Sequence, residues 1–262
     1  MAETFMLEHL EKVAIILHAP SHPGNVGATA RAMKVMGLTD LRIVNPRFTD
    51  ILSLPQAIAF ASGASDILAN AQIFPTVKDA LADTQWSVAM AMIARQWSGP
   101  QYSPREAAHQ VHARLRDGRA QKVAFLFGPE RTGLSNTAVL QCRAMCQIPS
   151  NPAYGSLNLA QSVQIISYEL RMTALQTLEV KPNLNSQEPQ ASYTAIEGML
   201  EHLQQALIDI EFLDPKVPKR LMERLASLFA RTELSTKEVD ILRGIARQIQ
   251  IKAKPKHKTA EC

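Results

Sequence analysis

The chain has 262 residues, of which 46% are hydrophobic and 20% are charged, so its composition is typical of a globular protein with one large domain or two unequal ones. Its three cysteines, Cys142, Cys146 and Cys262, are too few for a disulfide framework and lack the second ligand pair of a structural zinc site. We therefore expect reduced thiols and a cytoplasmic protein. Acidic residues precede the first apolar run, and no run reaches about 18 apolar residues, which argues against a secretory signal and a membrane span.

The formal net charge is only +4, but the basic residues are concentrated in one part of the chain. Between Glu188 and Asp214 there are six acidic residues and no lysine or arginine, whereas Lys216 to Lys258 holds twelve basic residues and four acidic ones. Such a run is typical either of a solvated helix face with a frayed tail or of a surface that contacts phosphates. The basic stretch 252–258 fits a flexible arm for nucleic acid.

Apolar runs of strand length alternate with helical patterns up to about residue 180. The predicted strands are Val13–His18, Leu41–Asn45, Trp86–Met92, Lys122–Phe127 and Ala144–Ile148. The predicted helices are Ala28–Met36, closed by Gly37, then Pro104–Arg116, ended by Gly118, then Ser135–Cys142 and Leu157–Glu179. Because continuous apolar strands are typical of parallel sheets buried on both faces, this pattern predicts an α/β fold with a mainly parallel sheet.

Residues 181–191 contain two prolines and two asparagines with hardly any apolar residues, which predicts a linker. Three helical patterns follow, at Tyr193–Phe212, Lys219–Ala230 and Ser235–Ile251. No glycine-rich dinucleotide fingerprint follows the first strand and no P-loop occurs anywhere, so the usual nucleotide cradles are excluded.

Three turn-rich segments carry candidate functional residues. The first, residues 22–27, brings Asn25, and one turn into the next helix Arg31, to the carboxyl end of a parallel strand, where open α/β sheets bind their ligands. An ordinary helix cap followed by a surface arginine would explain the same residues. The second segment, residues 127–134, is rich in glycine and holds Glu130; it is either a ligand-binding loop or a tight turn with an exposed carboxylate.

The third segment, from Ile148 to Ala160, places Ser156 and Asn158 at the start of the long helix. Backbone donors at a helix start suit a carboxylate ligand. A plain serine N-cap would explain Ser156 and would leave Asn158 unused.

Together, in this order and spacing, the three segments resemble the motifs of the SpoU-type RNA ribose 2′-O-methyltransferases. The resemblance covers about residues 12–180, and the helical region after it is most similar to that of members acting on transfer RNA. The matching residues are Asn25, Gly27 and Arg31 in the first motif, Phe127, Gly128, Glu130, Gly133 and Leu134 in the second, and Ile148, Pro149, Ser156, Leu157 and Asn158 in the third.

The resemblance implies a SPOUT fold, which is a mainly parallel α/β domain at residues 1–180 with a deep trefoil knot, an exception to the rule that chains do not thread loops. Residues 181–191 are then a linker, and residues 192–262 a small, basic, all-helical region for RNA binding. It also implies a homodimer whose Arg31 reaches an active site shared across the interface.

The resemblance further implies S-adenosylmethionine as cofactor, and neither a metal nor a membrane is implied. The expected cofactor contacts are Met92, Ile93, Ala94, Gly128, Ile148, Ser156, Leu157 and Asn158. Where members of the family carry small hydroxyl residues, this chain has Met92 and Ile93, so only backbone contacts are carried over at those positions.

The expected catalytic residues are Arg31, Asn25, Glu130, Ser156 and Asn158. Arg31 either acts as a base assisted by a substrate phosphate or is a fixed cation that stabilises the developing alkoxide, because an arginine side chain is ordinarily a poor base at neutral pH. His22 is a rival base, since histidine ordinarily titrates near neutral pH. Tyr154 either stacks on an RNA base or packs against the protein.

These residues predict 2′-O-methylation of transfer RNA, on a pyrimidine nucleotide at the 5′ edge of the anticodon loop. Ribosomal RNA or another transfer RNA position is the alternative substrate. A non-catalytic RNA-binding protein is the alternative class, and it would explain the basic region but not the three motifs together.

Overall fold

A parallel sheet organises the first two thirds of the chain. The computed structural model describes residues 8–91, 97–153, 155–176, 189–216 and 220–253. Within them the sheet has seven strands in the order β3-β2-β1-β6-β4-β7-β5, and every pair of neighbours is parallel. The strands are β1 (Val13–His18), β2 (Asp40–Val44), β3 (Gln72–Phe74), β4 (Trp86–Met90), β5 (Gln101–Tyr102), β6 (Val123–Phe127) and β7 (Ala144–Cys146). The predicted α/β fold with a mainly parallel sheet is confirmed.

Helices cover both faces of the sheet and form the end of the described chain. Their bounds are α1 (Pro23–Met36), α2 (Pro55–Ala61), α3 (Ser65–Asn70), α4 (Val77–Leu81), α5 (Pro104–Arg116), α6 (Asn136–Leu140), α7 (Leu159–Gln176), α8 (Tyr193–Asp209), α9 (Leu221–Thr232) and α10 (Thr236–Ala253). None of the helices among the described residues is long and apolar enough to cross a membrane. The trefoil path of the chain remains a prediction.

The core has two layers, one on each face of the sheet. In β1, Val13, Ile15 and Leu17 point into a layer shared with α1, α5 and α7, whereas Ala14 and Ile16 point into a layer shared with α4 and α6. Since successive side chains of a strand alternate between faces, both sets must be apolar when both faces are covered. This explains the unbroken apolar runs in the sequence.

The first helix begins earlier than predicted. We expected a helix from Ala28, but α1 starts at Pro23, so Asn25 lies in its first turn and not in a loop. Pro23 has a backbone angle suited to the first helical position, and the His22 Nδ1 caps the helix by accepting a hydrogen bond from the Gly24 amide at 3.1 Å. The predicted end is correct, since Gly37 closes α1 with a left-handed φ of +87°.

Several other boundaries differ from the sequence prediction, and residues 46–85 received no prediction at all. That stretch forms α2, α3, β3 and α4, each of seven residues or fewer, which is too short for a clear periodic pattern. The strand expected at Ala144–Ile148 ends at Cys146, and the long helix expected from Leu157 begins at Leu159. Of the predicted linker, residues 181–188 lie outside the described residues, whereas Gln190 and Ala191 are buried.

The C-terminal helices dock at the amino ends of the strands. Just before β7, Arg143 donates to the Ala191 carbonyl at 2.8 Å, and just before β4, the Thr84 carbonyl accepts from the Tyr193 amide at 2.9 Å. The Gln190 amide donates to the Arg119 carbonyl at 2.9 Å, close to the start of β6. These helices therefore do not cover the carboxyl ends of β4, β6 and β7.

Candidate active site

A cavity of about 600 Å³ lies at the carboxyl ends of three neighbouring strands. Met90, Phe127 and Cys146, which end β4, β6 and β7, line its floor. The loop 128–134 and the segment 155–157 form its walls. The volume falls within the range of about 300–1,000 Å³ that is usual for small-molecule sites, and the position is the one at which open α/β sheets bind ligands.

A hydrogen-bond network joins three distant segments beside this cavity. The Asn25 side chain donates to Glu130 Oε1 at 2.8 Å, and the amide and hydroxyl of Ser21 donate to Glu130 Oε2 at 3.1 and 2.8 Å. The Asn158 Nδ2 donates to Asn25 Oδ1 at 2.9 Å. Because a carboxylate only accepts hydrogen bonds, the Asn25 amide has one possible orientation, which presents its oxygen to Asn158. One polar residue from each of the three predicted segments therefore meets at one point.

The Glu130 side chain is held as a carboxylate. Partial burial by itself raises the pKa of this carboxyl group, but hydrogen bonds from Asn25 and Ser21 outweigh burial and hold the pKa below its ordinary value. Both oxygens are occupied by these donors. Glu130 therefore joins the start of α1 to the loop after β6 through hydrogen bonds. As an ionised group with a lowered pKa, it is poorly suited to accept a proton at neutral pH.

The loop after β6 folds back on itself. A Cβ atom on Gly128 would lie 2.4 Å from the Leu134 backbone nitrogen, so only glycine fits there. Gly133 adopts a left-handed φ of +65°, and its amide donates to the Pro129 carbonyl at 2.9 Å. At Gly128 the space that a side chain would need is filled by the loop itself, not reserved for a ligand.

Asn158, not Ser156, caps the long helix. Its Oδ1 accepts from the backbone amides of Ala160 and Gln161 at 2.9 and 3.4 Å. Two of the first-turn donors that we expected to bind a carboxylate are therefore already satisfied. Ser156 is exposed, lines the cavity and makes no hydrogen bond to another described residue, so its hydroxyl is available to a ligand.

The comparisons with known proteins identify the family. Residues 12–168 match the model of the SpoU rRNA Methylase family, and residues 194–258 match that of the C-terminal domain of the tRNA methyltransferase TrmJ. The tRNA (cytidine/uridine-2′-O-)-methyltransferase TrmJ of Klebsiella pneumoniae is 39% identical over 249 residues, covering 94% of this chain and 100% of the relative. This chain belongs to the SpoU methylase family, in its TrmJ branch.

Two further TrmJ proteins are similar over nearly their whole length. The Pseudomonas aeruginosa relative, named tRNA (cytidine/uridine/adenosine-2′-O-)-methyltransferase, is 38% identical, with 92% of this chain and 95% of the relative covered. The crystal structure of TrmJ from Z. mobilis ZM4 has a TM-score of 0.77 and 34% identity, covering 90% of this chain and 98% of that chain. The resemblance to this family predicted from the three motifs is confirmed.

The predicted catalytic residues do not all lie together. Asn25, Glu130 and Asn158 are joined in the network, whereas Arg31 is exposed and makes no hydrogen bond or ion pair to another described residue. Six positions along a helix correspond to roughly 120° of rotation and 9 Å of rise, so Arg31 points away from the side of α1 that carries Asn25. His22 uses its Nδ1 to cap α1, which gives this side chain a structural role.

The predicted cofactor contacts are partly located. Gly128, Ile148, Ser156 and Leu157 line the cavity. Met92, Ile93, Ala94 and Tyr154 lie outside the described residues, although Ala91, directly before the first three, lines the cavity. The described part of the chain contains no group of side chains that could hold a metal ion.

The sequence prediction missed several residues of this site. Ser21 anchors Glu130, and Met90, Arg131 and Ser162 line the cavity. Met90 lies in a strand that the sequence does predict, but the strand ends at Met90 and not at Met92 as expected. Ser21 and Ser162 carry no recognisable sequence signal, since their roles depend on contacts between distant segments.

Proposed function

We propose that this chain transfers a methyl group from S-adenosylmethionine to a ribose 2′-hydroxyl of transfer RNA. The observation that carries the proposal is the Asn25–Glu130–Asn158 network beside the cavity, in a chain of the TrmJ branch. The named relatives are tRNA 2′-O-methyltransferases. We expect the protein to act in the cytoplasm, where its reduced cysteines and transfer RNA are both found.

The residues around the cavity fit the methyl donor. Phe127, Leu134 and Leu157 offer apolar surface to an adenine ring, and the glycine-rich backbone at Gly128 offers polar groups close to it. Ile148, Ser156 and the backbone of residues 92–94 are further proposed contacts. When bound, the donor supplies an electrophilic methyl group on a positively charged sulfur atom.

The chain contributes mainly positioning to the reaction. Well-oriented reactants can lower a barrier by roughly 7–11 kcal/mol, provided that the attacking oxygen and the methyl group are in line. Asn25 and Asn158 join the starts of α1 and α7, and Glu130 fixes the cavity loop to the start of α1. Ser156, with its hydroxyl open to the cavity, contacts the target nucleotide or the donor.

The remaining task is to remove the proton of the hydroxyl, and we assign it to Arg31. Glu130 is excluded as the base, because its oxygens are occupied and its pKa is lowered. Arg31 either accepts the proton with the help of a substrate phosphate or stabilises the developing alkoxide as a fixed cation. Within its own chain it points away from Asn25, so we propose that it acts across a homodimer interface.

Exposed apolar side chains on α1 and on the helices packed against it support such an interface. Val35, one turn further along α1, is 62% exposed, and Ile58 and Phe60 on the neighbouring α2 are 52% and 55% exposed. Tyr168 on α7, which also packs against α1, is 47% exposed. Covering this surface with a second copy would bury apolar area and bring Arg31 close to another chain.

The C-terminal helices support transfer RNA as the substrate. Their match to the TrmJ C-terminal domain coincides with the basic part of the chain, and the exposed side chains of Arg224, Arg243, Arg247 and Lys252 can contact phosphates. We propose the pyrimidine at position 32, at the 5′ edge of the anticodon loop, as the target. Ribosomal RNA is the second candidate, because the family model that matches residues 12–168 is described by that substrate.

The test uses purified full-length protein, labelled donor and unmodified transfer RNA. We expect calorimetry to detect binding of S-adenosylmethionine or S-adenosylhomocysteine, and we expect labelled methyl to appear on ribose in transfer RNA. Fragments of ribosomal RNA serve as the competing substrate. Absence of donor binding would refute the enzyme proposal, and methylation of ribosomal RNA alone would refute the assignment of the substrate.

A further inference from the structure

We propose that Arg131 binds a backbone phosphate of the RNA next to the target ribose; this rests on the proposed function. Arg131 lies in the loop after β6, is exposed and lines the mouth of the cavity. Among the described residues that line this cavity, Glu130 and Arg131 are the two that carry a charge. These two side chains carry opposite charges, and their contacts decide which of them is free to bind a ligand.

Glu130 forms no ion pair with Arg131. Both Glu130 oxygens accept hydrogen bonds from Ser21 and Asn25, on the side of the loop that faces α1. Arg131 forms no ion pair or hydrogen bond with any other residue that the structure describes. Its guanidinium therefore lies at the mouth of the cavity with no hydrogen-bond or ion-pair partner among the described residues.

The loop fixes the backbone that carries this cation. Gly128 is packed against the Leu134 backbone, and the Gly133 amide donates to the Pro129 carbonyl. Glu130 accepts a hydrogen bond from Asn25 in α1. The backbone on both sides of Arg131 is therefore constrained while its side chain stays open to solvent. A guanidinium on such a loop loses little backbone freedom when it binds an anion.

A phosphate fits this position better than the anionic part of the methyl donor. In our proposal the donor occupies the interior of the cavity, away from Arg131, because its sulfonium would be repelled by a nearby cation. The mouth is where the RNA backbone must pass if a ribose hydroxyl is to enter. A planar guanidinium can donate two parallel hydrogen bonds to one phosphate, which fixes direction as well as distance.

The experiment compares full-length wild type with Arg131→Gln, Arg131→Lys and the control Arg105→Gln. Arg105 is also exposed and its surface ion pair with Glu169 lies on α5 and α7, so its replacement removes the same charge away from the cavity mouth. We expect Arg131→Gln to raise the KM and Kd for transfer RNA roughly tenfold, the effect of losing one charge-assisted hydrogen bond. The donor Kd, kcat and thermal midpoint should stay at wild-type values.

Salt dependence gives a readout that a general structural defect would not produce. The slope of log K against log salt should become shallower by about 0.7–0.9 in Arg131→Gln, the value for one lost phosphate contact. Arg131→Lys should recover part of the affinity, because it keeps the charge and loses the planar fork. The Arg105→Gln control should match the wild type in RNA affinity and slope.

The outcomes separate this inference from the proposed function. If the wild type methylates transfer RNA and Arg131→Gln binds it with unchanged affinity and slope, the inference is wrong and the proposed function stands. A weakened donor Kd with unchanged RNA affinity would also overturn it, because Arg131 would then hold the donor carboxylate. If the wild type binds no RNA, both fail together.

Discussion

Charged side chains are paired differently at the amino ends of the strands, here called the amino edge, and at their carboxyl ends, the carboxyl edge. At the amino edge, Arg42 is 3% exposed, and its guanidinium is matched by Asp40 at 2.8 Å and Asp83 at 2.6 Å. Lys122 adds a second cation to the same two carboxylates. At the carboxyl edge, the Glu130 carboxylate is held by neutral donors, and the charge of Arg131 is left unmatched.

The C-terminal helices are attached at the amino edge by the same kind of pairing. Arg114 is 2% exposed, stacks over the Trp86 ring at 4.3 Å and pairs with Glu233, which comes directly after α9. Paired opposite charges therefore hold the parts of this fold together at the amino edge. At the carboxyl edge, beside the cavity, Glu130 and Arg131 have no ion-pair partner among the described residues.

The largest effect is expected from removing Arg31. Arg31→Ala should lower turnover by about 10²–10⁴ with donor binding preserved, the range for losing a base or a charge-stabilising donor. Arg31→Lys should be less damaging, since it keeps a cation but loses the planar fork. His22→Ala is the control from the same helix and should cost little. Rapid turnover by Arg31→Ala on full-length transfer RNA would contradict the proposed mechanism.

The second-largest effect is expected from breaking the ion pair between Glu233 and Arg114 at the amino edge. Glu233→Gln leaves the buried Arg114 without a carboxylate, and we expect a loss of about 3 kcal/mol in the free energy of unfolding, the lower end for breaking a buried pair because Glu233 is 30% exposed. Donor affinity should change little, because the cavity lies at the other edge. Glu223→Gln removes an equal charge from an exposed pair with Arg220 and is the matched control. Equal unfolding curves for both variants would refute the attachment.

A smaller effect is expected from Asn158→Ala. The change removes the cap of α7 and the link to Asn25, so we expect about 1 kcal/mol less stability in thermal or denaturant unfolding, together with weaker donor binding. Asn158→Asp can still accept from the helix amides but cannot donate to Asn25. If the aspartate variant binds donor as well as the wild type, the link to Asn25 is unimportant for the cavity.

The smallest effect is expected from the titration of Glu130, which becomes protonated only in acid. Because its pKa is lowered in the folded chain, the stabilisation from the ionised group is complete above its ordinary unfolded value and is lost as the pH falls through the lowered pKa. Donor affinity should therefore stay constant from neutral pH down to about 4.5 and fall only below that. Glu130→Gln should bind donor more weakly at neutral pH and show no such acid limb. An acid limb unchanged in Glu130→Gln would assign it to another group.

Much of the fold could be predicted because its signals are local. The apolar runs of β1 and β6 and the proline and capping residues at the start of α5 are visible in any short window of sequence. The start of α1 was mispredicted because residues 22–27 have the composition of a turn, while a proline and a histidine cap begin a helix there. Tertiary context decided that boundary.

The site was only partly predictable. Asn25, Glu130 and Asn158 follow from the motif resemblance, but their contacts join residues more than 100 positions apart. The role of Ser21, the capping of α7 by Asn158 and the attachment of Glu233 to Arg114 depend on how distant segments pack. No window of sequence contains that information.

Position-resolved mapping of ribose methylation in transfer RNA tests the central claim most directly. The RNA is taken from cells lacking this chain and from the same cells supplied with wild type or Arg31→Ala. We predict that the methylated pyrimidine at the 5′ edge of the anticodon loop disappears in the deletion, returns with the wild type and stays absent with Arg31→Ala. An unchanged methylation map in the deletion strain would contradict the account.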